Sequence, residues 1–420
     1  MMNIYIKTLC ACAAVAAVTL TSNDTLAQGA PIVCPDYKRG PTNIPGSRTG
    51  KKVQKAYEAY NNDLVDEALE LLYDIDASQA FDRAFTDRFI GNLLATKSES
   101  GKKALEYLVK SVQSKELNDS EQAGTLRLIA DLSMQEQAYA DAIKWYKQWM
   151  DFTCKEDADV YLRMGQAYYE NKQYPEMIGP LDKSIALDDK PNKNAYALKL
   201  QSYYARKMYP ETLGVAETVV AIFPDNKANW TSLGFFYMLV EDYKKGLSTF
   251  EMALNQGYLT KASEIKALTQ LYATNEIPYK AAVLYEKYMK SGLITKDERS
   301  LASLANTWHQ AKQHKKAAAY YGEAAALSSD PEQYRKQGVL LLAAEDYNGA
   351  LKALQKSLDG GADDKGRIHM AMMEAYFYTG DFKNAHVHVR EARKDKSTAR
   401  SARSWEPYIK EKAKNRGIKI

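Results

Sequence analysis

The side chains with most scope for chemistry in this 420-residue sequence are five histidines, two pairs of adjacent aspartates and four cysteines. His386 and His388 stand two residues apart, about 200° around a helix axis, so they cannot share a ligand. The others are His309, His369 and His314, of which His314 falls on an aromatic slot of the repeat described below, where a ring packs. Asp188-Asp189 and Asp363-Asp364 fall between expected helices, where carboxylates cap helix ends or face water instead of forming an acid–base pair. There is no G-x-S-x-G elbow, no phosphate loop of the G-x4-G-K type and no H-E-x-x-H pair. The expectation is a chain without a catalytic centre, cofactor or metal.

The elements that carry these residues follow from a period. A chain this long exceeds what one compact core usually supports, so it is a set of domains or a repeat array. Its composition is that of folded proteins, with 45% hydrophobic and 26% charged residues, and 30 Tyr against 10 Phe and 5 Trp. Tyrosine has an apolar body and a polar tip and suits half-buried faces and contact surfaces. After residue 30 no apolar run reaches the ~18 residues of a membrane helix. The clearest unit is Trp230-x-x-Leu233-Gly234-x-x-Tyr237, followed by Tyr243, Gly246, Phe250, Ala253 and Leu254. The same frame returns 34 or 35 residues away, upstream at Tyr161, Gly165, Tyr168 and Tyr174, and downstream at Trp308, Ala317, Tyr321 and Ala324. Gly338, Tyr347 and Ala350 continue it, as do Met372, Tyr376, Phe382 and Ala385. Each unit holds two apolar stripes at helical spacing, parted by a short polar turn such as Glu241-Asp242 or Gly380-Asp381. One hairpin cannot bury both stripes, so the units must stack.

This pattern resembles the tetratricopeptide repeat, W-x2-L-G-x2-Y with a later small residue, aromatic and Ala. The resemblance implies an all-α, right-handed superhelical solenoid of about ten helix-turn-helix repeats over residues 49–399. Residues 400–420, with Trp405, Tyr408 and Ile409, are expected to form a basic capping helix and tail. Gly165, Gly234 and Gly338 are expected where the first helix of a unit admits its partner closely, with Ala142, Ala317 and Ala350 opposite.

Residues 1–27 read as a cleaved secretory signal: Lys7, a small-residue apolar core from Thr8 to Thr21, and Thr25-Leu26-Ala27 before the cut. Residues 28–48 follow as an extended, basic, Pro- and Gly-rich segment. Export removes Cys10 and Cys12 and leaves Cys34 and Cys154, either a disulfide or two unrelated thiols, in the oxidising periplasm. Charge is uneven: residues 390–420 carry a balance of +7 and residues 1–55 one of +5, which in a chain of +4 leaves the middle at about −8. The basic end reads as a solvated face, a patch for an anionic surface, or a partner for that acidic middle.

In families of this kind a concave groove is lined by first-helix positions that the packing signature leaves free. Mapped here, these are Gln166, Tyr169, Gln201, Tyr204, Phe235, Met238, Gln270, Asn306 and His309, with Glu170 and Leu239 beside them. Gln and Asn can donate to and accept from a peptide backbone, while Tyr, Phe and Met give adaptable apolar contact. An alternative is that Phe235 and Leu239 merely widen the core. The resulting expectation is a non-catalytic periplasmic scaffold that holds extended segments of envelope proteins. A likeness to exported repeat proteins of TonB-type systems, drawn partly from Cys34-Pro35 and the run from Lys38 to Lys52, implies TonB, ExbB or ExbD as partners. A polysaccharide- or peptidoglycan-binding module is the competing reading, since tyrosine-lined grooves also stack on sugars.

Overall fold

The computed structural model describes residues 31–420; the signal expected at 1–27, with Cys10 and Cys12, lies outside the described residues. Every regular element among the described residues is a helix. Ten hairpins succeed one another. In the first unit of the chain, which ends at Phe223, they are α1 Ser47–Asn61 with α2 Val65–Tyr73, α3 Ala80–Ala95 with α4 Gly101–Gln113, and α5 Asp119–Gln135 with α6 Tyr139–Thr153. The pairs α7 Ala158–Glu170 with α8 Ile178–Leu187 and α9 Lys193–Ala205 with α10 Tyr209–Ile222 complete it. The second unit, Pro224–Ile420, holds α11 Lys227–Leu239 with α12 Tyr243–Asn255, α13 Ala262–Thr274 with α14 Pro278–Lys290, and α15 Glu298–Gln310 with α16 His314–Ser328. It closes with α17 Pro331–Ala343 and α18 Tyr347–Asp359, α19 Lys365–Thr379 and α20 Phe382–Ala392, and the single helix α21 Ala399–Asn415. Each unit is an α solenoid in which a helix packs on the next one. First helices of successive hairpins also touch, α7 on α9 and α17 on α19.

The turns repeat as faithfully as the helices. Each of the ten hairpin turns places one residue in the left-handed region: Asp63, Glu99, Gln137, Lys172, Lys207, Glu241, Glu276, Lys312, Glu345 and Gly380. The next N–H then reaches back over the last helical turn, Asp242 to the Tyr237 carbonyl and Asp381 to that of Tyr376, each at 2.9 Å. This closure satisfies carbonyls that a helix end leaves open. The aspartate that follows also starts the second helix, for Asp242, Asp346 and Asp381 accept from the N–H three residues on. The paired acids lie in turns between helices, with Asp189 and Asp363 exposed and Asp364 at the N-cap position of α19. Asp188 sits at the C-terminal end of α8, and Asp364 precedes α19 but bonds Arg367 at 3.3 Å and no backbone N–H.

Small residues set how closely the paired helices approach. A Cβ on Gly165 would lie 2.5 Å from Leu181, on Gly234 2.5 Å from Phe250 and on Gly338 2.5 Å from Leu354. Ala142, Ala317 and Ala350 are fully buried. At the chain's end Ala402, Ile409 and Ala413 of α21 bury against Met373, Ala385 and Val389. Trp405 and Tyr408 pack on Phe377 at 5.5 and 5.4 Å from the flank of α21, where Tyr408 stays 43% exposed because Ile409 takes the inward position.

Before α1, the segment from Ile32 to Gly46 is fastened along the first unit. Ile32 is buried, and Val33 N–H bonds the Thr153 carbonyl at 2.8 Å. A disulfide joins Cys34 to Cys154, with Cα atoms 5.0 Å apart. Tyr37 then bonds Asp119, Asn43 exchanges two bonds with Asn118 at 2.8 and 3.0 Å, and Gly46 N–H bonds Asp82 at 3.0 Å. The helices begin at Ser47, two residues before the expected start.

Candidate binding cleft

The nine first-helix positions nominated from the sequence share two registers. Gln166, Gln201, Phe235, Gln270 and Asn306 recur at one, and Tyr169, Tyr204, Met238 and His309 three residues later. The Gln and Asn side chains are exposed on α7, α9, α13 and α15. Phe235 and Met238 are half-buried against the core of the second unit, and Phe235 meets the Phe250 ring edge-on at 5.2 Å. The second register turns out to serve the hairpin turn as well. Tyr169 contacts Tyr174 at 5.8 Å, Tyr204 contacts Tyr209 at 6.2 Å, His309 contacts His314 at 5.8 Å and Phe377 contacts Phe382 at 5.5 Å. A ring near the end of the first helix thus rests on a ring that opens the second or, at Tyr174, lies in the turn before it.

Two of the nine come together in a cleft of about 600 Å³ within the second unit. Asn306 and His309 line it from α15 together with Glu298, Arg299, Ala302 and Ser303, positions that follow one helical stripe. Arg335, Lys336, Val339 and Ala343 face them from α17, and His314 and Tyr321 of α16 close the floor. Its charges are fixed by neighbours. Glu332 holds Arg335 through two bonds, at 2.6 and 2.7 Å, and Gln333 donates to Glu298 at 3.1 Å. Lys336 lies over the Tyr321 ring at 5.6 Å. Partial burial, then the charges of His314 and Lys312, lower the pKa of His309 below the ordinary histidine value, which keeps its ring neutral near pH 7.

This arrangement suits recognition. An exposed amide at Asn306 can pair with a peptide backbone, Ala302, Val339 and Ala343 give small apolar walls, and Arg299, Arg335 and Lys336 supply positive charge. Among the described residues the buried His314 Nδ1 has no hydrogen-bond partner, and no cluster of three His, Cys, Asp or Glu side chains could hold a metal ion. No helix among them is long and apolar enough to cross a membrane. The α17 face does not stand out in the sequence, where Gly338 is the residue of this helix that the repeat marks. Arg335 and Val339, which lie to one side of it around the helix, carried the signal.

The fold defines an all-helical repeat protein. No protein-family model matches the sequence, and no curated protein matches it. Solved structures similar to it include a structure of Naa15/Naa10 bound to HypK-THB, at 12% identity and a TM-score of 0.46, covering 87% of this chain. This chain spans 66% of that one, just under two thirds. Another is the C-terminal part of a TPR repeat-containing protein from Cytophaga hutchinsonii, at 15% identity and a TM-score of 0.38, covering 58% of this chain and 98% of that one. A third is the TPR2AB domain of yeast Sti1 in complex with pHSP90, at 16% identity and a TM-score of 0.33, covering 60% and 98%.

Proposed function

We propose that this chain is a non-catalytic periplasmic scaffold that grips extended segments of cell-envelope proteins along its first-helix faces, supporting TonB-dependent transport. The observation that carries the reading is the α15–α17 cleft, where an amide, small apolar walls and fixed cations line one open channel. An extended segment suits it because main-chain groups pair with Asn306 while alternate side chains meet Val339 and Ala343. The export signal and the Cys34–Cys154 bond favour an oxidising compartment. The repeat proteins named above include one solved with pHSP90, which gives a precedent for a scaffold with a protein partner.

A photo-cross-linker placed at Asn306, in cells that make the protein, tests the reading, with the same group at the exposed Lys352 as reference. Cross-links at Asn306 to defined segments of envelope proteins are expected, with TonB, ExbB and ExbD examined first. They should weaken at least tenfold when Val339→Asp and Lys336→Glu are combined. Cross-links that are equal at both positions, or that map to glycan, would overturn it.

A further inference from the structure

The end of the chain carries a second surface, separate from the cleft. α21 turns Ala402, Ile409 and Ala413 inward, and the opposite side presents Arg400, Arg403 and Lys414 within about 60° of one another. None of the three has a carboxylate partner among the described residues; Arg393 and Lys410 are the cations that Glu406 holds, both at 3.0 Å. Glu411 is the one acid on this stripe. The three cations span about 21 Å along the helix.

An aromatic ridge runs along one flank of α21, where Tyr408 lies about 80° round the helix from Arg400. Tyr347 stacks on Tyr378 at 5.3 Å, Phe377 touches Tyr378 at 5.7 Å and Tyr408 at 5.4 Å, and Trp405 packs beside Tyr408 at 5.9 Å. Lys412 lies over the Tyr408 ring at 5.3 Å. Tyr378 is 54% exposed and Tyr408 43%, so two amphipathic rings stand out on that flank.

We infer that this face docks on an anionic lipid surface. Cations in a line on an outward helix face meet a plane of headgroup phosphates in any register, whereas an acidic peptide would need carboxylates at matching intervals. Tyrosines with an apolar body and a free polar tip fit the headgroup level, where both halves of the side chain are satisfied. Attraction of this kind adds per cation and fades with salt.

Sedimentation of the purified protein with vesicles of phosphatidylcholine alone, or mixed with phosphatidylglycerol, tests the inference. Binding to the mixed vesicles only is expected, weakening as salt rises. Replacing Arg400, Arg403 and Lys414 by Gln should lower affinity about fivefold for each cation, roughly a hundredfold in all. Arg400→Lys with Arg403→Lys should bind as the parent does, because a lipid plane reads charge and not guanidinium geometry. Tyr378→Ser with Tyr408→Ser should weaken binding with the salt dependence intact. All the altered side chains are exposed, so helicity by circular dichroism should be unchanged. Equal binding to both vesicle types, no binding, or an unaffected Gln variant overturns the inference. So does binding to polyglutamate in preference to vesicles, which would make the partner an acidic polypeptide. The cleft substitutions Val339→Asp and Lys336→Glu should leave vesicle binding unchanged, which keeps the two surfaces separable.

Discussion

His369 Nδ1 lies 2.9 Å from His388 Nδ1, so the two helices of the last hairpin share a single proton between two rings. One ring donates and the other accepts, and a second proton must break the bond. Burial, then the charge of His369, opposed by Glu391, lowers the pKa of His388 from 6.5 to about 4. Burial also lowers that of His369, with Lys394 and Lys365 adding to it and Glu391 opposing. The Tyr376 ring stacks on His388 at 5.3 Å and covers it. A base whose pKa is lowered on folding leaves stability untouched above its unfolded value. Stability is lost as pH falls below that value toward the folded one, because the unfolded chain then binds more protons. The hairpin α19–α20 should therefore be pH-insensitive above about 6.5 and loosen between there and about 4. Amide exchange of residues 365–392 against pH measures it, and His388→Phe should flatten the response. If the Phe variant loosens as the parent does, carboxylates and not this pair carry the acid sensitivity.

Cys34 and Cys154 close a loop of 120 residues around α1 to α6. Chain entropy assigns such a bond up to about 5 kcal/mol. The contacts on either side of it, Val33 to Thr153 and Gly46 to Asp82, keep the segment on the unit and let the constraint reach the hairpins. Cys34→Ser with Cys154→Ser should lower the melting temperature of the first unit and leave that of the second in place. Calorimetry with and without reductant follows both, and a scan unchanged by the substitutions would show the segment to be a passive tether.

Which of these features were legible in advance depended on whether they recur. Gly165, Gly234 and Gly338 return with the period, and the close approach they permit could be expected from the repeat. The rings Tyr174, Tyr209 and His314 recur too, although no local spacing shows that Tyr169, Tyr204 and His309 rest on them. The left-handed turn position recurs in space but not in sequence, since Glu, Lys, Gln and Asp occupy it nine times and Gly once. His369 and His388 belong to different helices and follow no local spacing, so no stripe along a single helix pairs them. Arg335 and Val339 were visible only as positions that packing leaves over.

The turn residues make a direct test of that hidden regularity. Glu241 holds φ at 62°, where a side chain costs about 1–2 kcal/mol and glycine nothing. Glu241→Gly releases that strain and adds unfolded-state freedom, which returns about 0.4–1 kcal/mol. A net gain of up to about 1 kcal/mol is expected, read as a higher melting temperature of the second unit. Gly380, at φ 84°, should show the reverse, with Gly380→Ala costing about 1 kcal/mol.

Two helical glycines separate packing from propensity. Gly234 faces Phe250, which is fully buried and held by the Phe235 ring at 5.2 Å, so the 2.5 Å approach of an added Cβ cannot be relieved by a small rotation. Gly234→Ala should cost about 1–3 kcal/mol, the usual penalty for overfilling a packed core. Gly214 of α10 has nothing within 4 Å of the corresponding Cβ. There the same change only stiffens the chain and removes the helix penalty of glycine, and Gly214→Ala should stabilise by roughly 0.5–1 kcal/mol. Urea denaturation of the two variants, each read against the parent, measures the pair. Destabilisation by both would mean that α10 meets a neighbour on that face, and stabilisation by both would mean that α11 and α12 stand further apart than the Gly234–Phe250 contact requires.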